Sequence, residues 1–89
     1  MRSSKLREAV CSEVVRILHE ERKRKTLSMT RLAEQAGLSQ AMISLVERDL
    51  RNPTLDTLLR ITDVLELELS EILVKAKRNA GRHFSETPK

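Results

Sequence analysis

The sequence predicts an all-α domain of five helices, at about residues 5–25, 28–36, 39–48, 54–65 and 68–78. Three observations predict it. Only two Gly and two Pro interrupt 89 residues, so little of the chain is forced into turns. No apolar–polar alternation of strand type lasts beyond a few residues, whereas apolar residues recur at spacings of three and four. A Ser or Thr stands directly before three of the apolar stripes, where a side-chain oxygen can cap a helix start.

The first helix carries Leu6, Val10, Cys11, Val14, Val15, Ile17 and Leu18 on one half of its wheel, with Glu8, Ser12, Glu13, Arg16, His19 and Glu20 on the other. Its last turn, Arg22-Lys23-Arg24-Lys25, suits the negative end of the helix dipole. Ser28 is the expected cap of a second, short helix that turns Leu32, Ala33 and Ala36 inward, and Gly37 supplies the left-handed residue that ends it. Ser39 is the expected cap of the third, with Ile43 and Val46 inward. Asp49 to Pro53 reads as a loop, since proline and its predecessor resist helix. Thr54 caps the fourth helix, on whose wheel Leu55, Leu58, Leu59, Ile61, Thr62 and Leu65 share a face and Val64 is the apolar outlier. The fifth presents Leu69, Ile72, Leu73 and Ala76. Residues 1–78 therefore form one helical domain, and 79–89, polar and containing Gly81 and Pro88, read as a flexible basic tail.

Charge and composition exclude several function classes. The net charge is +4, but the excess sits at the two ends, 1–26 and 76–89, while 27–75 is net acidic. Such an uneven excess supports a polyanion partner only weakly. A single cysteine, Cys11, excludes an internal disulfide and is expected to be a small core residue. Cys11 and His19 lie about 80° apart on one helix wheel and form no catalytic pair. There is no Cys/His cluster and no glycine-rich phosphate loop, so no metal, no cofactor and no enzymatic activity are expected. No apolar run reaches signal or membrane-span length, which points to the cytoplasm.

The informative unit is Thr30–Glu47, TRLAEQAGLSQAMISLVE: two short helices meeting at a glycine turn, with small residues at the approach and apolar ones at the lock. About nine residues at a 1.5 Å rise give roughly 14 Å, short enough to lie in a major groove about 12 Å wide. From Leu18 to Leu73 the chain resembles the five-helix domain of Cro/XRE regulators, which include phage repressors and restriction–modification controllers. The resemblance rests on Leu32-Ala33, Gly37, the run Ile43 to Arg48, Arg51-Asn52-Pro53 and the Leu58…Leu65 helix. It implies that Gln40, Ala41, Ser44 and Leu45 read base edges, chemistry those side chains can perform, although Leu45 could equally pack against a neighbouring helix. It implies a structural ion pair between Arg22 and Glu47, since Arg22 sits at the rim of the apolar face where a bare charge would cost stability. Phosphate contacts fall to the helix starts at Met29, Thr30 and Thr54 and to Arg31, Arg48, Arg51 and Asn52. Departures are Thr26, Asp49 and Glu66 at positions where the family often has Gly, Thr62 for a common Ala, and Met29 for a frequent Gln.

The expected partner is double-stranded DNA, with no membrane involved. One short helix reads few base pairs, so useful specificity implies a homodimer on a pseudo-palindromic operator with half-sites about one turn apart. Leu50, Val64, Leu69, Ile72 and Leu73 are the candidate dimer surface. With no effector domain, the expected role is repression or autoregulation. A rival reading keeps the fold and changes the partner: an antitoxin or an adaptor binding a toxin or polymerase through 1–17 and 76–89. A basic arm through Arg2, Lys5 and Arg7 is a further expectation.

Overall fold

The structure of the protein, a computed structural model, describes the backbone of residues 4–85 and the side chains of residues 4–82. Five helices run in order: α1 (Ser4–Arg24), α2 (Met29–Ala36), α3 (Gln40–Glu47), α4 (Leu55–Leu65) and α5 (Leu69–Ser85). There is no strand among the described residues. Ser28, Ser39 and Thr54 cap α2, α3 and α4 as their chemistry dictates, each accepting from the backbone N–H three residues on at 3.0 Å.

The first four helices end alike. Thr26, Gly37, Asp49 and Glu66 all adopt left-handed backbone. At each, that residue and the next donate back into the last turn in the five-to-two and six-to-one pattern, as in Thr26 N–H to Lys23 and Leu27 N–H to Arg22. A leucine follows every time: Leu27, Leu38, Leu50 and Leu67. Three of them fold back on the core, but Leu50 stays 63% exposed. Only Gly37 adopts this conformation without a Cβ penalty, and Thr26 is the most strained of the four because its side chain is β-branched.

The core takes Val10, Val14, Ile17 and Leu18 from α1, Leu32 and Ala33 from α2, Ile43 from α3, Ile61 and Leu65 from α4, and Ile72, Ala76 and Ala80 from α5. Leu32, Ile43, Val46 and Leu65 are fully enclosed. Burying a side chain of this size contributes about 1.5–3 kcal/mol, so this small set fixes α2, α3 and α4 in the core. Thr62 is buried without penalty because its hydroxyl donates to the Leu59 carbonyl at 3.2 Å.

The structure corrects four of the expectations. Helix 5 does not end near Arg78: it continues to Ser85, so 79–85 belong to the helical body. Ala76 and Ala80 are buried and let the α5 backbone close on α1, and the Asn79 amide donates to Glu13 at 3.1 Å. Residues 86–89 and Arg2 of the expected arm lie outside the described residues, while Lys5 and Arg7 are in the first turns of α1 and exposed. Cys11 is exposed rather than in the core, because its edge of α1 is not covered. Ile72 is buried within the protomer itself, which removes it from the dimer surface. On α4, Leu55 and Leu59 turn outward, at 64% and 49% exposure, while Val64 is half-buried against the core. The wheel located the apolar arc of α4 but not which edge of it meets α1.

Candidate nucleic-acid interface

The second and third helices are eight residues each, too short to persist alone. What holds them is the turn between them and two polar clamps. Gly37, at φ 72°, sends its N–H back to Glu34 while Leu38 bonds Ala33 at 2.9 Å. Arg60 of α4 donates to the Ala36 carbonyl at 3.2 Å and to Asp56 at 2.8 Å, placing a cation at the negative end of α2. Lys25 does the same for α4, its ammonium donating to the Leu65 carbonyl.

At the far end of α3 lies the second clamp. Arg22 Nε donates to Glu47 Oε2 at 2.6 Å and Nη2 to Oε1 at 2.9 Å, while Nη1 donates to the Leu27 carbonyl at 2.7 Å. The Arg22 and Glu47 side chains are 10% and 7% exposed. Burial alone would raise the Glu47 carboxyl, but the hydrogen bonds from Arg22 and then His19 outweigh it and hold the group below its ordinary value. Glu47 therefore stays ionised, yet its charge is spent inside the fold rather than shown to a polyanion.

Ile43 and Val46 lock α3 inward, which leaves Gln40, Ala41 and Arg48 exposed on the opposite side with Ser44 and Leu45 half-buried beside them. Because the caps satisfy the amides of Arg31, Met42 and Thr57, the helix-start amides before them have no intrahelical acceptor. Thr30, Arg31, Arg51, Asn52 and Thr54 are exposed around this face, and Met29 is half-buried against the core. The guanidinium groups of Arg31, Arg48 and Arg51 form no ion pair with a described residue. A short helix projecting a nearly neutral polar edge, framed by unengaged arginines and helix N-termini, is suited to reading bases while holding phosphates.

The helix-turn-helix family model matches residues 18–72, from the last third of α1 through the first turn of α5. The chain belongs to the Cro/XRE-type helix-turn-helix family. Within that family it is 38% identical over 52 residues to the immunity repressor protein of Bacillus phage phi105, covering 58% of this chain and 36% of that one. It is 38% identical over 58 residues to the HTH-type transcriptional regulator SlrR of Bacillus subtilis strain 168, covering 64% and 38%. The matched span is thus little over a third of each curated relative. The clp gene regulator ClgR from Corynebacterium glutamicum shares the fold, with a TM-score of 0.75 at 18% identity over 86% of this chain and 82% of that one. As a helix-turn-helix chain, the protein places its second motif helix, α3, where the site geometry above already sets it apart. No helix among the described residues is long and apolar enough to cross a membrane.

Three contacts of this helix-turn-helix frame were not legible in the chain. His19 falls on the polar half of the α1 wheel, yet its ring meets Glu47 at 2.7 Å. Arg60, although exposed on α4, closes the end of α2. Ser12 donates to Asp49 at 2.5 Å, tying α1 to the loop behind α3. For His19 alone a signal existed: it stands one turn before Arg22, on the same side of α1.

Proposed function

We propose that the protein is a sequence-specific, double-stranded-DNA-binding transcriptional regulator that reads the major groove with α3. The observation that carries the reading is α3 itself, locked inward by Ile43 and Val46 and clamped through Glu47, so that Gln40 and Ala41 face out near arginines that form no ion pair among the described residues. Gln40 pairs with an adenine edge, Ala41 and Leu45 meet thymine methyls, and Ser44 donates or accepts. Met29, Thr30 and Thr54 offer backbone amides to phosphates, and Arg31, Arg48, Arg51 and Asn52 supply side chains, which provide most of the affinity.

The working species is a homodimer on a pseudo-palindrome, acting as a repressor or autoregulator in the cytoplasm. We draw its interface from Leu50, Val64, Leu69 and Leu73, together with Leu55 and Leu59, which are exposed. Leu58 and Leu73 border an apolar depression lined mostly by Val10, Cys11, Val14 and Val15 of α1, and Leu59 and Leu69 border another between α4 and α5. An exposed apolar face on so small a protein favours self-association. No observation favours the antitoxin or adaptor reading over this one.

The test is selection from a random duplex DNA pool at physiological salt. Enrichment of two half-sites about 10 base pairs apart supports the dimeric regulator. Recovery without a preferred sequence, or none at all, rejects base reading by α3.

A further inference from the structure

Helix α1 begins at Ser4, well before the family match at residue 18. These added turns are tied to the motif, because Ser12 donates to Asp49 in the loop between α3 and α4. Beside that bond, Arg7, Glu8, Cys11 and Ser12 of α1 line one depression with Asp49 and Asn52 of the loop. Arg7 is exposed and forms no ion pair with a described residue. Neither acidic group of the depression is placed to neutralise it. Asp49 is engaged by Ser12, and Glu8 is the next residue of α1, a spacing at which helix side chains do not face each other.

Helix α5 brings a second cation to the same side. Leu73 lines an apolar depression that shares Cys11 and Asn52 with the first. Lys77 stands one turn further along that face of α5, exposed and likewise without an ion pair to a described residue. Ile72 lies by Ile17 and Asn79 donates to Glu13, so this step along α5 leads towards the start of α1. The basic excess at the two ends of the sequence therefore meets beside the loop that carries Arg51 and Asn52.

We propose that Arg7 and Lys77 contact the phosphates of duplex DNA, continuing the rim of Arg51 and Asn52 beyond the helix-turn-helix module onto the added turns of α1 and the adjoining face of α5. The contact is with the backbone and carries no sequence information. It rests on the duplex-DNA function proposed above, but not on base reading by α3. An exposed cation gains little from one exposed counter-charge in water, whereas on a duplex it displaces condensed counterions. Its signature is therefore the salt dependence of binding.

Binding of the full chain is measured between about 50 and 200 mM salt on the duplex most enriched from the random pool and on a shuffled duplex of equal length. The native chain is compared with Arg7→Gln, Lys77→Gln and Arg7→Lys. Each Gln variant is expected to lower the slope of log Kd against log salt by about 0.9, so that its deficit shrinks about 3.5-fold across that range. The loss should be equal on both duplexes, and Arg7→Lys should keep the native slope. Unchanged slopes in both Gln variants overturn the proposal, as does a loss confined to the enriched duplex or an Arg7→Lys slope as low as that of Arg7→Gln. A slope loss on duplexes bound without preference supports the rim and rejects base reading by α3. Preferential binding with unchanged slopes does the reverse, and no duplex bound by the native chain rejects both.

Discussion

The α1–α5 pair and the α2–α3 pair are held by different physics. The long helices α1 and α5 pack antiparallel along an apolar seam of Val10, Val14, Ile72, Ala76 and Ala80, a mode that works through area and tolerates imprecision. By contrast, α2 and α3 bury only a few side chains apiece. Their positions are fixed by discrete polar devices: two serine caps, one glycine turn, Arg60 on Ala36, and the Arg22–Glu47 clamp. A helix that must present an edge to a rigid groove benefits from directional bonds, because a small misplacement spoils several contacts at once. The scaffold region supplies stability and the motif region supplies pose.

Each prediction sets one region against the other. Ile43 is the single α3 side chain with no exposure, so Ile43→Ala should cost about 2–5 kcal/mol in denaturant unfolding. A loss below 1 kcal/mol would show that α3 does not depend on its core contact. Glu47→Ala should cost about 3 kcal/mol, since it strands a guanidinium in a largely buried site. That loss should appear without DNA, which separates a clamp from a phosphate contact.

The clamp also sets the acid limit. The carboxyl of Glu47 is held below its ordinary 4.5, so its contribution is complete above that value and disappears as pH falls through the lowered one. Melting temperature measured from pH 5 to pH 3 should fall more steeply for the native chain than for Glu47→Gln.

The left-handed positions give smaller effects of opposite sign. Gly37→Ala should cost about 1–2 kcal/mol, because the new Cβ meets both a disfavoured backbone and the Arg60 guanidinium, while Thr26→Gly should gain about 1 kcal/mol. Equal effects at the two sites would mean that Thr26 is not held at its positive φ. The smallest expected change tests the α5 extension: Gly81 lies within the helix with nothing near its Cβ direction, so Gly81→Ala should stabilise by about 0.5–1 kcal/mol. No gain would place residue 81 beyond the helix end.

Local chemistry was legible in the chain and long-range contact was not. Ser28, Ser39, Thr54 and Gly37 declare helix ends by what their own atoms can do, and they stand where they were expected. The inward faces of α2 and α3 followed from spacing alone. The end of α5 did not, because Asn79 and Gly81 read as terminators unless Glu13 and the α1 surface are known to be there. Cys11, Leu55 and Leu59 lie on the edges of apolar arcs, where periodicity cannot say which edge a neighbour covers. The Glu47 contact of His19 spans 28 residues, beyond any local pattern. Of the site, the exposed positions of α3 were legible, and the contacts that brace it were mostly not.

The pairing of α1 with α5 carries a consequence for how the protein is made. Translation delivers α1 well before α5, its principal packing partner, so the apolar seam of α1 emerges from the ribosome ahead of the helix that covers it. The α2–α3 turn needs only near neighbours in sequence, but Arg22 cannot be seated until Glu47 has been synthesised. The nascent chain therefore acquires the shape of its helix-turn-helix before the stability to keep it, and Ala76 and Ala80 close the α1 seam only once α5 has been made.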